Sequence, residues 1–293
     1  MTKISINDNV CVRCGMCVLA CPYNIFVRKD RDSIPTTEFK EECVSCGHCV
    51  AICPEGAITH SDIQNVRVRH IDMSLQPSLE QVLCLLRGRR SIRAFQDMPV
   101  ERTLIEQVID GANTGPTPHN AHRIEYVVVQ DRATIKRILD MVAESNGKLI
   151  YLLHDHAAFD SLPVPVKEKL NAARPLLPSM ERIVNRIKTD DDILQRGAPA
   201  LLVLHAPRIE NDLFDASIDA NIAIQNASLI CSSLGLGSCE LGYLEAVQKN
   251  DPRIRKALYI PNDHAIFGAL AIGYPKYKFE SWIEKPMAKI EWN

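Results

Sequence analysis

Eight of the chain's eleven cysteines fall between positions 11 and 53, and they make two copies of one pattern. Cys11, Cys14, Cys17 and Cys21 are followed by Pro22. At an offset of 32 residues, Cys43, Cys46, Cys49 and Cys53 are followed by Pro54. Each copy reads C-x-x-C-x-x-C-x-x-x-C-P. Three thiolates two residues apart wrap a tight loop around three irons of a cubane, while the fourth, carried off by the helix that its proline begins, reaches the other cluster. The spacing therefore predicts two 4Fe–4S clusters with crossed ligands: Cys11, Cys14, Cys17 and Cys53 on one, Cys43, Cys46, Cys49 and Cys21 on the other. Gly15 and Gly47 follow the second cysteine of each copy, where backbone must pass close to inorganic sulfide. Two other uses of cysteine fit less well. A disulfide framework needs an oxidising compartment, and the opening MTKISINDNV has no apolar signal-peptide core, so a cytoplasmic protein is expected. Zinc sites usually draw on two separated C-x-x-C knuckles, not three cysteines in seven residues. With the thiolate sets complete, His48 is expected to be a solvated loop histidine.

Residues 4 to about 60 resemble a bacterial two-cluster ferredoxin, a module that passes single electrons and does no bond chemistry. The remainder of a 293-residue chain is long enough for a second domain with its own core. We expect a first domain over 1–60, a polar linker over 61–77 and a second domain over 78–293. A net charge of -2, with no run of like charges, excludes a phosphate-backbone footprint, so no nucleic-acid partner is expected. The longest uncharged apolar stretch, Ala265 to Tyr274, is well short of the roughly 18 residues of a membrane span, and no membrane is expected.

In the second domain, apolar residues at helical spacing predict helices over Ser78–Gly88, Val100–Ala112, a segment containing Ile135, Ile138, Leu139 and Val142, and Ala216–Leu234, stopped by Gly235. Tyr126–Val129, Ala200–His205 and Ala265–Ile272 read as strands of a central sheet. Residues 144–199 read as helices and loops laid over that core.

Four places carry chemistry. RGRRSIRAF (87–95) sets arginines around a serine at a helix end, and Arg89, Arg90 and Ser91 are the forked and hydroxyl donors that a phosphate needs, with Arg93 projecting separately. TGPTPHNAH (114–122) displays Thr117, Asn120 and His122 on a proline-held loop. GLGSCELG (235–242) offers bare backbone at Leu241 and Gly242, although it lacks the strand and acidic residue of a dinucleotide fingerprint. GYPKYK (273–278) ends a strand on Lys276 and Lys278.

In this order and at these distances the four places resemble the nitroreductase family of FMN enzymes, over about residues 80 to 279. The resemblance implies an α+β protein: a small ferredoxin-like domain, then an α/β domain whose central, mostly antiparallel sheet is flanked by helices. It implies that Arg89, Arg90, Ser91 and Lys278, with Lys276, take the FMN phosphate, and that Arg93 sits near flavin N1 and O2. By the same resemblance Asn120 bonds the ring system, preceded by Pro116 and Thr117, while Leu241 and Gly242 face N5 and O4. Where family members commonly carry glutamine two places after that asparagine, this chain has His122, either a proton donor to substrate or a donor to the ring edge. Related fused proteins carry an arginine after G-Y-P, and here either Lys285 or nothing takes that place. Cys239 reads as a small residue in a glycine-rich turn, Cys84 and Cys231 as core on apolar helix faces, and His154 and His156 as surface histidines.

The expected function is thus an iron–sulfur flavoprotein oxidoreductase. Single electrons pass between the clusters and FMN, and an organic acceptor of nitro, quinone or activated-alkene type receives two. Expected partners are NAD(P)H or a separate ferredoxin as donor, and a second copy in a homodimer. The alternative is an electron-transfer adapter with no dedicated small substrate.

Overall fold

The computed structural model of the protein describes residues 4–63, 68–189, 191–209 and 215–293. Residues 1–3 of the first expected domain and 64–67 of the expected linker lie outside the described residues. The chain divides into two compact units, one made of Met1–Gln76 with Thr117–His122, the other of Pro77–Pro116 with Arg123–Asn293.

In the first unit, strands β1 (Ile4–Ile6), β2 (Phe26–Val27), β3 (Thr36–Thr37) and β4 (Ile58–His60) form two antiparallel ribbons, β1 with β4 and β2 with β3. The sequence repeat is also a structural repeat. Gly15 and Gly47 both take φ 75°, a left-handed conformation that glycine adopts without steric cost, and each starts a five-residue helix, Met16–Ala20 or His48–Ile52. His48 therefore opens a helix, on which it is exposed. The last cysteine of each copy leaves its helix extended, and its sulfur accepts from the amide four residues on: Ile25 N to Cys21 Sγ at 3.3 Å, Ala57 N to Cys53 Sγ at 3.2 Å. Behind them the core is small, with Ile4, Ile25, Phe26 and Ile58 packed against Cys17 and Cys49.

In the second unit, strands β5 (Glu125–Val129), β6 (Ala200–Pro207), β7 (Gly237–Glu240) and β8 (His264–Gly273) form one sheet of order β5-β6-β8-β7, antiparallel at every pairing. Both β6 and β8 are apolar almost throughout because helices cover both faces of the sheet. Leu201, Val203, Ala269 and Ala271 point to one side and pack with Ile135, Ile138, Leu139 and Val142 of the helix Arg132–His154. Leu202, Leu204, Leu270 and Ile272 point to the other. There they meet Ile105 and Val108 of the helix Arg102–Ala112, and Ala220, Ala223, Ile224 and Ala227 of the helix Ala216–Ser233.

The expected helix at Ser78 begins at Leu79, because Ser78 is its N-cap and shares a capping box with Gln81. Residues 144–199 contribute the helices Val164–Ala173 and Leu177–Lys188 and the end of Arg132–His154. Two expectations are corrected. Cys239 lies in edge strand β7, because Gly237–Glu240 pair with Gly273–Leu270 of β8 and so extend the sheet where a turn was expected. Cys84 is exposed, because none of the residues of its helix is buried, whereas Cys231 is fully buried as expected. His154 and His156 are exposed, and His154 Nε2 meets Glu181 Oε1 at 2.6 Å.

Candidate functional site

Two segments far apart in sequence are joined by main-chain pairing at the β7 edge of the large sheet. Ser91 bridges in parallel to Ser238, where Ile92 N donates to Ser238 O at 2.9 Å. Phe95 bridges to Pro275 in antiparallel fashion, through Gln96 N to Tyr274 O at 2.8 Å and Lys276 N to Ala94 O at 3.0 Å. This pairing brings Arg89 and Arg90 to Lys278 around a cavity of about 250 Å³, lined also by Ser228, Ser232, Ser238, Gly235 and Gly237. Its charged lining is entirely cationic, and the hydroxyls add neutral donors. That donor set suits a phosphate, which guanidinium forks bind in a bidentate manner. Arg90 lies 5.9 Å from the centroid of the Phe279 ring, and Arg87 lies 4.9 Å from that of Trp282. Lys285 lines a neighbouring cavity of about 360 Å³ together with Arg87, Arg89 and Arg90.

Sequence reasoning missed Ser228, Ser232 and Ser238. The first two stand one turn apart on the helix Ala216–Ser233, a spacing visible in the sequence but indistinguishable there from a polar helix face. Close approach makes this wall possible at Gly237, where a Cβ would meet three atoms of Ile92 at 2.7, 2.8 and 2.9 Å. Gly237→Ala is expected to cost about 1–3 kcal/mol by overpacking. Because Ile92 carries the arginine segment, FMN affinity should fall as well, and thermal denaturation beside an FMN titration measures both.

Other expected site residues of this unit lie close by. Arg93 is exposed, and its charge acts on the buried Cys239 thiol. Burial pushes that thiol up, Arg93, Arg196 and Arg89 pull the other way, and Glu240 adds to the rise. The net upward shift keeps Cys239 a thiol at neutral pH. Leu241 is buried and its N–H is taken by Ala269 O at 2.9 Å, which leaves exposed Gly242, first in the helix Gly242–Gln248, as the backbone donor of the pair. A Cβ at Gly242 would touch nothing within 4 Å, so the space beside it is open. Lys276 is exposed, does not line the arginine cavity and contributes its backbone to the ladder; Pro116 is exposed.

Thr117, Asn120 and His122 were expected in the second domain and belong instead to the first unit. Asn120 Nδ2 donates to Val44 O at 3.3 Å and Ser45 O at 3.2 Å, and its Oδ1 lies 2.8 Å from His122 Nε2. The Tyr23 hydroxyl hydrogen-bonds His119 Nδ1. His119, Asn120 and His122 all take positive φ (51°, 56° and 45°), a backbone that these contacts hold in place. The asparagine assigned to a flavin ring thus bonds the main chain between Cys43 and Cys46.

The eight N-terminal cysteines gather in two sets. Cys11, Cys14, Cys17 and Cys53 line one hollow with Gly15 and Ile58. Cys21 acts electrostatically on both Cys43 and Cys49, as does Cys46. Cys49 is pushed up to about 11, first by burial and then by the thiols of Cys46, Cys43 and Cys21. Cys17 and Cys43 are raised as well, again chiefly by burial. Half-buried thiols that oppose each other's ionisation become stable thiolates once a multivalent iron centre supplies the missing positive charge.

Known proteins are similar to both parts of the chain. Residues 10–58 match the 4Fe-4S dicluster domain, and residues 86–274 match the nitroreductase family. The FMN reductase (NAD(P)H) of Bacillus subtilis is 24% identical over 199 residues, 67% of each chain. The 4-nitrobenzoate reductase of Nocardioides is 25% identical over 209 residues, 68% of this chain and 82% of that one. A crystal structure of a nitroreductase with bound FMN from Bacteroides fragilis shares the fold, with a TM-score of 0.55 and 18% identity over 72% of this chain and 99% of that one. The antiparallel sheet, its two helical layers and a family match that runs from the arginine segment to Tyr274 together place this chain in the nitroreductase family of FMN-dependent oxidoreductases, with an iron–sulfur domain ahead of the flavin fold.

Proposed function

We propose that the protein carries two 4Fe–4S clusters and one FMN per chain, and that it moves electrons between a one-electron carrier system and a nitro, quinone or activated-alkene acceptor. The observation that carries this reading is the cation-lined cavity built by Arg89, Arg90 and Lys278, in a chain that also holds two four-cysteine sets. Bound flavin supplies the exchange between one-electron and two-electron chemistry, and the clusters supply single-electron transfer.

The chain's own residues do the rest. Arg89, Arg90 and Lys278 hold the phosphate, with Ser91 and Ser238 at the bridge beside it. Arg93 would supply the cation that favours the reduced, anionic flavin, and Gly242 presents a backbone N–H over open space. Cys11, Cys14, Cys17 and Cys53 take one cluster, and Cys43, Cys46, Cys49 and Cys21 the other. Thr117 and His122 remain with Asn120 in the first unit, where Asn120 bonds the main chain of the second cluster loop. There His122 is a candidate proton donor, held by Asn120.

A homodimer is supported by apolar surface on the second unit. Ile218 of the helix Ala216–Ser233 is 59% exposed, and the tail after Lys278 exposes Ile283, Met287 and Trp292. Among the described residues no helix is long and apolar enough to cross a membrane.

The test is a count followed by a titration on anaerobically purified protein. About eight irons and one FMN per chain are expected. NADH, NADPH or reduced ferredoxin should then bleach flavin and clusters together, and a small nitro or quinone acceptor should reoxidise them with saturation. Full iron without FMN overturns the reading. Reoxidation by a protein partner alone replaces it with the adapter.

A further inference from the structure

Away from the arginine cavity, three ligating side chains converge on one face of the large sheet. Glu125 of β5 pairs directly with His205 of β6, which puts both side chains on the same face. His264 of β8 pairs with Pro207, two residues beyond His205 and so on that face again. A register shift between Leu204 and His205 brings the strand into this alignment. His205 Nδ1 and His264 Nδ1 are 2.9 Å apart, and His205 Nε2 lies 4.0 Å from Glu125 Oε2. One ligating atom from each of the three lies within 4.8 Å of the others. Both histidines are buried, at 3% and 7% exposure, while the Glu125 side chain is 59% exposed and reaches them from the solvent edge.

We propose that Glu125, His205 and His264 form a binding site for one zinc-like divalent cation, distinct from both clusters. Two imidazole nitrogens and a carboxylate are the donors of a borderline metal such as Zn²⁺, whereas magnesium and calcium take oxygen donors. Zn–N bonds of about 2.0–2.1 Å at a tetrahedral centre put the two nitrogens about 3.3 Å apart. The histidine nitrogens need to separate by only about 0.4 Å from their present spacing to admit the ion. Without metal, two Nδ1 atoms facing each other must share one proton, and a cation replaces that proton. Burial lowers the His205 pKa, against the pull of Glu125, so this imidazole offers a lone pair at neutral pH. With three protein ligands the fourth position remains for water or an outside ligand.

The experiment uses the cluster-loaded, FMN-loaded protein under anaerobic conditions. It is incubated with zinc sulfate, desalted, and analysed for zinc and iron together. One zinc per chain is expected, with iron and the visible spectrum unchanged. His264→Gln should lose it, and Glu125→Gln should weaken it by about 10-fold or more. Glu125 is exposed, so E125Q decides the matter even where the buried H264Q fails to fold. No retained zinc, zinc gained only as iron is lost, or equal retention by wild type and E125Q would each overturn the site.

Discussion

Cys14→Ala and Cys46→Ala are each expected to remove one cluster, taking iron from about eight to about four per chain. The crossing of ligands makes a sharper statement about Cys21. It lies in sequence with the first copy, but its charge acts on Cys43 and Cys49 of the second. The double variant Cys21→Ala/Cys46→Ala should therefore keep about four irons, because both changes strike one cluster, whereas Cys14→Ala/Cys21→Ala should lose nearly all. The opposite ranking of these two iron counts would show that each copy holds its own cluster. Loss of a cluster should also loosen the first unit, whose apolar core is small and includes Cys17 and Cys49 themselves. Donor-driven flavin reduction that depends on ferredoxin should vanish along with it.

Removing one cation from the arginine cavity should weaken FMN binding about 10- to 100-fold, since each charge-assisted hydrogen bond contributes roughly 1.5–3 kcal/mol. Arg90→Ala and Lys278→Ala both qualify, because both residues line that cavity. Lys276→Ala serves as the comparison. Its side chain is exposed and outside the cavity lining, while its backbone N–H, which the substitution retains, makes the bond to Ala94 O. A change in FMN dissociation constant of less than about threefold is expected for it, as is usual for an exposed charge. Fluorescence of released FMN measures all three. Equal losses at Lys276 and Lys278 would mean that the phosphate sits elsewhere. Iron content should be unaffected in every case, which separates a flavin defect from a folding defect.

Much of the second unit was legible in sequence because burial writes itself into composition. β6 and β8 read as short apolar runs since both faces are covered, and the helices around them show their 3.6-residue period. β7 was not legible. Gly-Ser-Cys-Glu has neither the length nor the branched residues of a strand, and it becomes one only because the exposed edge of β8 is there to pair with it. Cys84 misled for the converse reason: an apolar stripe at helical spacing says that a helix is amphipathic, and not that a core lies behind it.

What the sequence by itself determined was the chemistry that depends on spacing. Metal-ligand geometry is local, so cysteines two residues apart announce a cluster before any fold is known, whereas the arginine and G-Y-P segments pointed to a phosphate only as a pair and only through their resemblance to a family. Only the tertiary structure decided which distant groups meet. Strand pairing carries Lys278 to Arg89 and Arg90, register sets His205 beside His264 and Glu125, and two hydrogen bonds to Val44 and Ser45 hold Asn120 in the first unit. Such contacts join residues scores of positions apart through the main chain of the sheet or a single amide. Their partners leave no periodic trace in sequence, because hydrogen-bonding backbone is the same at every residue.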